Sequence, residues 1–506
     1  MLLTLNSLLS QDYNLKKIIF IAFALSFSLV SAQELIQKIN FLELQIKELQ
    51  KIQNENTVDL DEYIPIIEKA ETKTILDKVN MTPELELRMD KMNYSVGEIG
   101  GNENTYVYKD INGDGIKTKT NDFRRKHYSK KFEPAVTVKF KLNLSAQLDE
   151  KTKFNGRMIF ATSTQTNERL CILSSDIKSA SSTSAFDVDR AYIDYSPNNN
   201  SEYAFTFSFG ILPTTGGTPL NYAQNTTRKS LFPSLVFDMN TYGIIATQKL
   251  ASDSFLRAIA AKAYTLRANF YPYQCNRLNI DNANVFGLYY DTRLSFLGKS
   301  LLSFGVNYLG DFKAHPYLGP DVDTNDASVL GDMMTLGLGI DVEDIFNSRI
   351  TIFAHSAFSK PYANGQKDTY QIAGNNLTGV QEDPNDPNFS MGDYAEGSLL
   401  NDSGYSIYIG TRYQINDSFN FGFEYNYGSK YWFSATQGAE DMYNKLATRG
   451  HVGEAYTMWN FAKYMHVKLG YMYTKEQYTS SGWHFGEPAE KDAKQQITYL
   501  SLKAEF

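Results

Sequence analysis

The stretch that decides the fold is Val136-Thr137-Val138-Lys139-Phe140-Lys141-Leu142-Asn143-Leu144-Ser145-Ala146-Gln147-Leu148. Every even-numbered position is apolar and every odd-numbered position is polar. Successive side chains of a β-strand point to opposite faces, so this alternation predicts a strand with an apolar environment on one face and water on the other. Strands of soluble proteins average about 5–6 residues, so a run of this length favours a tilted strand that crosses a membrane.

The same alternation recurs along the chain, in residues 203–211, 405–414, 419–427 and 465–473. Short and long connections alternate between the predicted strands, an order that a soluble sandwich has no reason to keep. Bacterial outer-membrane barrels have it because they join antiparallel strands by short periplasmic turns and long outer loops. The predicted short connections lie near residues 149–153, 197–201, 251–253, 297–299, 344–348, 416–417 and 461–464.

The count of these strands predicts one all-β domain, a transmembrane antiparallel up-and-down β-barrel. With a first strand near residues 85–95, the chain supplies about 16 strands, an even number as a closed bacterial barrel requires. Parity then places both the N-terminal segment and the C-terminus in the periplasm. The barrel is predicted to occupy residues 85–506.

Composition agrees with a barrel and excludes other classes. The 506 residues have a mean hydropathy of -0.37, which argues against a bundle of membrane helices, because such helices need repeated apolar runs of about 18 residues. A net charge of -8 argues against a general nucleic-acid binder. Aromatic residues make up 14% of the chain. They lie mainly at the alternate positions whose side chains are predicted to point out of the barrel, toward lipid and the membrane interfaces.

The N-terminal region predicts export. Lys16 and Lys17 precede the apolar run 18–30, which ends in Val30-Ser31-Ala32, the order of a secretory signal peptide over residues 1–32. The run is too short for a membrane-spanning anchor.

A short helix is predicted over residues 33–56, because apolar residues recur there at heptad spacing. Such a helix is marginal alone, so it should self-associate as a trimer or dimer coiled coil, or pack elsewhere; an ordinary amphipathic helix folded on its own domain is the alternative. Residues 57–84 are then a linker. The heptad positions are Leu35, Ile39, Leu42, Ile46 and Leu49.

The C-terminal segment 497–506 resembles the terminal strand signal of bacterial outer-membrane barrels. Its signal positions are Leu500, Leu502, Ala504 and Phe506, with Ala504 where an aromatic residue is often found. The resemblance implies recognition by the barrel-assembly machinery and pairing of the closing strand with the first. With its signal, its coil, its Tyr-rich barrel and the stretch 187–195, the chain resembles a porin-like family of unknown function from epsilon-class proteobacteria.

Side chains cannot fill a barrel of about 16 strands, so the interior should be a water-filled channel unless a loop occupies it. The longest connection, 360–402, is the candidate to fold inward and form a constriction. Each charged wall residue could instead be a simple Arg–Asp pair across neighbouring strands. The predicted pore-lining residues are Lys139, Lys141, Arg157, Arg190, Asp194, Asp291, Arg293, Asp341, Arg349, Arg412, Glu424 and Lys468.

The predicted function is a porin of a Gram-negative outer membrane that passes small polar solutes or ions by passive diffusion. A substrate-specific channel and a structural or adhesive barrel tethered through its periplasmic coil are the alternatives. The expected partners are outer-membrane lipid, lipopolysaccharide, the barrel-assembly machinery and further copies of the chain in a homotrimer, with no nucleic acid. No enzyme is expected, since the six histidines are scattered without paired zinc spacing and no Gly-x-Ser-x-Gly motif occurs.

Two further features leave alternatives open. Asp110, Asn112 and Asp114 resemble the first half of a calcium loop, but the acid expected at its twelfth position comes one residue late, so an ordinary polar turn competes. Apart from calcium, no cofactor is expected. Cys171 and Cys275 fall in predicted outer loops of an exported chain, where a disulfide between them can form, although spacing does not establish it.

Overall fold

The computed structural model describes residues 40–47, 79–97, 107–109, 118–120, 128–164, 185–199, 201–264, 283–313, 329–366, 368–372, 393–397, 399–436, 441, 443–478, 488 and 490–505. The chain divides into two compact units, Met1–Asp77 and Lys78–Phe506. In the first unit residues 40–47 are helical, within the predicted segment 33–56. The coiled coil and the signal peptide stay predictions. None of the helices in these ranges is long and apolar enough to cross a membrane.

The described part of the second unit forms a closed antiparallel barrel of sixteen strands, as the sequence predicts. Each strand pairs with its neighbours along the chain, and the last strand pairs with the first. The strands are β1 Val79–Val96, β2 Ala135–Gln147, β3 Thr152–Ser163, β4 Ala185–Tyr195, β5 Phe205–Ile211, β6 Asn240–Ala251, β7 Ser254–Tyr264, β8 Asn284–Thr292, β9 Lys299–Lys313, β10 Val329–Glu343, β11 Ile350–Ala363, β12 Gly404–Gln414, β13 Phe419–Gly428, β14 Gly450–Ala462, β15 Met465–Tyr478 and β16 Glu490–Glu505.

The ring closes between β1 and β16. Leu500 lies opposite Met89 and Leu502 opposite Leu87, so the C-terminal strand pairs with the first strand as the terminal signal implies. Phe506 lies outside the described residues. β1 begins at Val79, earlier than the predicted barrel start at residue 85. These additional residues could not be predicted as a strand, because they include Pro83 and proline argues against a strand interior.

The connections differ between the two ends of the barrel. The seven predicted short connections all join consecutive strands at one end, called here the turn end. In the first of them the backbone N–H of Lys151 donates to Asp149 Oδ1 over 2.7 Å, which lowers the pKa of that carboxyl. The long connections leave the other end, called here the loop end. Additional short strands belong to them: Val107–Lys109, Thr118–Thr120, Tyr128–Lys131, Asp368–Ile372 and Asp393–Gly397.

The faces of the barrel follow the predicted parity. On β2 the outward Phe140 is 38% exposed, whereas the inward Lys141 is 5% exposed. Outward aromatic and aliphatic side chains cover strand after strand, and this is where the excess of aromatic residues lies. Examples are Phe160, Phe207, Ile244, Leu288, Phe304, Leu338, Ile409, Phe421, Leu469 and Leu500.

Inward tyrosines lie flat against the wall over glycines of the neighbouring strand. A Cβ atom at Gly470 would stand 2.2 Å from Tyr499 Cζ, and one at Gly422 would stand 2.1 Å from Tyr456 Cζ. Real atoms cannot approach so closely, so only glycine leaves room for these rings. The glycines therefore fix the position of two hydroxyls that point into the lumen.

We predict that Gly470→Ala lowers the free energy of unfolding by about 1–3 kcal/mol, because the new methyl group overpacks against Tyr499. Gly453→Ala is the matched control, since nothing lies within 4 Å of a Cβ at that outward position. Urea unfolding of the refolded proteins measures both changes. Equal stability of the two variants would contradict the close contact.

Candidate functional site

The connection between β5 and β6, residues 212–239, folds into the lumen; it is called here the inward segment. Its two ends stay paired, with the Leu212 N–H donating to the Thr241 carbonyl over 2.9 Å. Between them the segment forms the short helix Leu220–Gln224, whose Leu220 and Tyr222 are buried. The inward segment is thus a folded insertion that leaves the barrel wall intact.

An apolar anchor holds the second half of the inward segment. Phe232, Val236 and Phe237 are at most 2% exposed, and the Phe232 ring centroid lies 4.5 Å from that of Tyr289 on β8. Val236 sits so close to β10 that a Cβ at Gly337 would lie 2.3 Å from it. Burying such side chains stabilises a packing by about 1.5–3 kcal/mol each. The wall contributes Ile245, Ile259, Val285, Leu309 and Met333.

Polar contacts hold the inward segment to distant parts of the wall. Arg228 pairs with Asp291 of β8 over 2.9 Å, and Lys229 pairs with Glu84 of β1. In a ring of sixteen strands β1 and β8 lie on nearly opposite sides, so neighbouring residues of the segment reach across the lumen.

Two further contacts come from other strands. Arg190 of β4 donates to the Thr215 carbonyl over 2.5 Å, and Arg412 of β12 donates to Asn225 Oδ1 over 2.5 Å. Asn225 in turn donates to Asn460 Oδ1 of β14 over 3.0 Å. The inward segment is therefore fastened on all sides of the barrel.

A second connection, residues 429–449 between β13 and β14, packs against the first. Trp432 and Phe433 are fully buried, and the Trp432 indole donates to the Leu446 carbonyl over 2.8 Å. The two connections meet where the Asp238 N–H donates to the Ala435 carbonyl over 2.7 Å. Together the two connections narrow the lumen by occupying the part of it next to strands β5–β13.

A buried network of charges faces the remaining opening. Lys445, from the second connection, pairs with Glu424 of β13 and lies 2.5 Å from Glu454 of β14. Burial opposes the charge on Lys445, yet these carboxylates and Asp441 together raise its pKa well above the ordinary value. The ammonium group is therefore a fixed positive charge.

Wall residues complete this network. Lys468 of β15 lies 3.2 Å from Glu454, and the Tyr408 hydroxyl donates to Glu424 Oε2 over 2.6 Å. Arg88 of β1 stacks 4.0 Å from the Tyr499 ring centroid. Removing one member would leave the remaining buried charges with less compensation, which costs more than the net gain from the pair.

Cavities lie on both sides of the helix Leu220–Gln224. Toward the turn end, two open vestibules of about 840 and 860 Å³ adjoin Asn225 and Tyr222. Burial, with Asp341 and Glu343 nearby, raises the pKa of Tyr222, so its hydroxyl stays protonated. On the other side lies a narrow cavity of about 80 Å³. Its titratable lining is Glu86, Arg88, Lys141, Asp441, Lys445, Glu454, His466, Lys468 and Lys503.

The predicted pore-lining residues divide into three groups. Lys139, Asp194 and Arg412 lie at inward positions with partial exposure, and Arg293 and Arg349 lie at the mouth of the turn end beside a vestibule. Arg293 is 66% exposed and its guanidinium lies 3.7 Å from Asp253. The buried inward group is Lys141, Arg157, Arg190, Asp291, Asp341, Glu424 and Lys468.

Some buried charges form pairs with residues that the sequence did not single out. Arg157 Nε donates to Asp189 Oδ1 over 2.8 Å, and Asp341 lies 3.1 Å from His355. The inward parity of β1, β14 and β16 could have revealed Arg88, Glu454 and Lys503. Lys229 and Lys445 had no such signal, because they come from irregular connections.

The lumen-filling segment among the described residues differs from the expected one. Sequence length favoured residues 360–402, of which only parts are described; Asp368–Ile372 pairs with Asp393–Gly397, and Ala395 pairs with Val107 of another long connection. Asp110, Asn112, Asp114, Cys171 and Cys275 lie outside the described residues. Within those residues no group of three His, Cys, Asp or Glu side chains is placed to hold a metal ion.

Comparison with known proteins identifies the family. The model of a family described as "Protein of unknown function (DUF3373)" matches residues 129–263 and 298–504, which make up about two thirds of the chain. The chain belongs to this family. The matched residues cover strands β2–β7 and β9–β16, apart from the last residue of β7 and the last residue of β16. A search of curated proteins finds no match.

Solved structures of outer-membrane proteins are similar over most of the barrel. OprB of Pseudomonas putida has 10% sequence identity and a TM-score of 0.44, over 86% of this chain and 96% of its own. The outer membrane channel DcaP of Acinetobacter baumannii has 11% identity and a TM-score of 0.41, over 85% and 97%. OmpT, an outer membrane protein of Vibrio cholerae, has 10% identity and a TM-score of 0.40, over 85% and 97%.

We predict that Glu424→Gln destabilises the barrel by about 3 kcal/mol, because it leaves the buried Lys445 with less compensating charge. Glu343→Gln is the matched control: Glu343 is exposed and accepts a single long bond of 3.4 Å from Tyr222, so its loss should cost less than about 1 kcal/mol. Urea unfolding at neutral pH measures both. A smaller effect at Glu424 than at Glu343 would contradict the charge network.

Proposed function

We propose that the chain is an outer-membrane channel that passes small polar solutes or ions by passive diffusion. The observation that supports it is the two-faced wall, apolar where Phe140 and Leu469 point outward and charged where Lys141 and Lys468 point inward. Such a wall suits lipid outside and water inside. No catalytic role is proposed for any residue.

The outer face supports a place in a membrane. Its exposed aromatic and aliphatic side chains form a far larger apolar surface than soluble monomers tolerate, since their patches rarely exceed a few hundred Å². In the closed ring each strand pairs with a neighbour on both sides, which suits hydrocarbon because backbone groups there need partners inside the protein. In the proposed orientation the turn end and both termini face the periplasm, and the long connections face outward.

The cavities support a narrow passage. The vestibules at the turn end are wide enough for a small solute, but the 80 Å³ cavity beside Leu220 holds only a few waters. A channel of this shape discriminates by size at the inward segment. This observation also favours the second candidate, a substrate-specific channel in which the inward segment forms the selective site.

The charges of the narrow cavity support a preference for anions. Its lining carries the basic residues Arg88, Lys141, Lys445, Lys468 and Lys503, against three carboxylates. Charged side chains that surround a constriction set the selectivity of a pore. The lining therefore favours small anions, although the chain as a whole is acidic.

We predict that removing residues 216–237 and joining the ends by two glycines raises the single-channel conductance several-fold. The ends can be joined because Leu212 already pairs with Thr241. Planar-bilayer recording measures the conductance, and circular dichroism checks that the barrel is intact. Unchanged conductance would contradict the constriction, and an absence of steps in both proteins would contradict the channel.

We also predict that Lys141→Glu shifts the reversal potential in a salt gradient toward cation selectivity, because it replaces a positive charge of the narrow cavity by a negative one. Lys262→Glu is the control, since this exposed lysine lies on the outward face of β7. A shift of equal size in the control would place the selective charges elsewhere.

A further inference from the structure

A cluster of lysines lies on the outer face of the barrel at the loop end, where β15, β16 and β1 meet. It consists of Lys91, Lys131, Lys475 and Lys494 and is called here the lysine patch. Lys91, Lys131 and Lys494 are exposed and Lys475 is half-buried. These side chains share the outward parity of Met89, Leu469 and Leu500, so they face the surroundings of the barrel and not its lumen.

The strand register brings the four lysines together. Lys475 lies directly opposite Lys494, and Lys494 lies opposite Ser95. Lys131, on the short strand Tyr128–Lys131, lies opposite Asn93. Partners across antiparallel strands are about 4.5–5.5 Å apart at Cα, and like charges directly opposite each other destabilise a sheet. An anion held between these lysines would relieve the repulsion that remains beside the contact of Lys494 with Asp492.

Among the described residues, three exposed carboxylates lie on or beside the same strands, namely Asp492, Glu490 and Glu133. Asp492 lies 3.8 Å from Lys494 Nζ, toward the loop end, and the exposed Glu133 follows Lys131. Neutral groups lie between the lysines instead, namely Asn93, Gln496 and Thr498. Such groups donate hydrogen bonds to phosphate and sugar oxygens, so the patch combines positive charge with polar donors.

The lysine patch lies beyond the apolar band of the wall, toward the loop end. Met89 and Leu500, which pair with each other, belong to the apolar band. Lys91 lies two residues beyond Met89, and Lys494 lies six residues beyond Leu500 toward the loop end. At about 3.3 Å per residue along the strand, Lys91 lies about 7 Å beyond Met89 and Lys494 about 20 Å beyond Leu500.

Other strands carry tyrosines on the outward face near the loop end. Tyr242, Tyr308, Tyr362 and Tyr405 are exposed on the outward face near the loop end of β6, β9, β11 and β12. Tyrosine is the usual residue of a membrane interface belt. In the sector of the lysine patch, Tyr471 and Tyr473 of β15 are also outward and pair with Thr498 and Gln496, and Lys475 and Lys494 lie beyond them toward the loop end. The lysines therefore add positive charge beside and beyond the tyrosines of this sector.

We propose that the lysine patch binds the phosphate groups of lipopolysaccharide in the outer leaflet. Lysine holds phosphate as a compact point charge, and several lysines in reach of one headgroup add their attraction. The proposal rests on the proposed function, because it takes the loop end to face the outside of the cell. Lipopolysaccharide would then attach to the sector where the ring closes.

The test is a titration of lipopolysaccharide into the refolded full-length protein in neutral detergent, at low and at physiological salt. The quadruple variant K91Q/K131Q/K475Q/K494Q should bind at least tenfold more weakly than the unchanged protein. The control Lys262→Gln, on the outward face of β7, should bind unchanged. Lipopolysaccharide stripped of its phosphates should bind the unchanged protein as weakly as intact lipopolysaccharide binds the quadruple variant.

Three results would overturn the proposal: equal binding by the quadruple variant, equal binding of the phosphate-free lipid, or complete displacement by an equal concentration of inorganic pyrophosphate, which would indicate a site for a free anion.

A measurement of bilayer conductance distinguishes failure of the lipopolysaccharide proposal from failure of the proposed channel function. A quadruple variant that conducts normally but loses lipopolysaccharide supports both. An unchanged protein that binds through the lysines but never conducts overturns the channel alone.

Discussion

The structure depends on one constraint, which is that every backbone N–H and C=O group of the barrel must find its partner inside the protein if, as proposed, the barrel lies in hydrocarbon. The pairing of β1 with β16 from Glu84 opposite Glu505 to Val96 opposite Ala493 meets this constraint by closing the ring. Once the ring is closed, each strand has one face toward the outside of the barrel and one toward the lumen. The alternating sequence, the outward aromatic residues and the inward charges all follow from this division.

The lumen imposes a second demand, because a ring of this size is too wide for its own side chains to fill. The chain meets it with the inward segment, whose Phe232 and Phe237 pack on an apolar part of the inner wall. Ion pairs from Arg228 and Lys229 then fasten the segment across the opening. The apolar contacts fix the inward segment against one side of the lumen. The charged residues on the opposite side of the lumen line the passage.

The strands could be predicted from the sequence because a period of two is a local property. The turns were predictable for the same reason, since each separates two alternating runs. The inward segment was not predicted, because its place depends on contacts with strands far along the chain. A signal was nevertheless present: Ile245, Ile259, Val285, Leu309 and Met333 are apolar at inward parity on five successive strands, where a water-filled wall would carry polar residues.

The charged site was predictable only in part. Parity assigns Lys141, Glu424 and Lys468 to the lumen, and they lie there. Parity does not reveal which charges meet, because Lys445 reaches Glu424 from an irregular connection. The sequence therefore predicts which residues the wall contains. The ion pairs beside the basic narrow cavity could not be predicted, because they involve residues of the folded connections.

Hydrogen–deuterium exchange of the refolded protein tests the central claim, the residence of the inward segment in the lumen, most directly. The Ser234 N–H donates to the Thr218 carbonyl over 2.8 Å, and the Phe237 N–H donates to the Pro233 carbonyl over 3.0 Å, both in fully buried surroundings. Peptides that cover residues 230–239 should therefore exchange as slowly as those of β9, over hours. Complete exchange of these amides within seconds would contradict the account, because it would place the segment in open water.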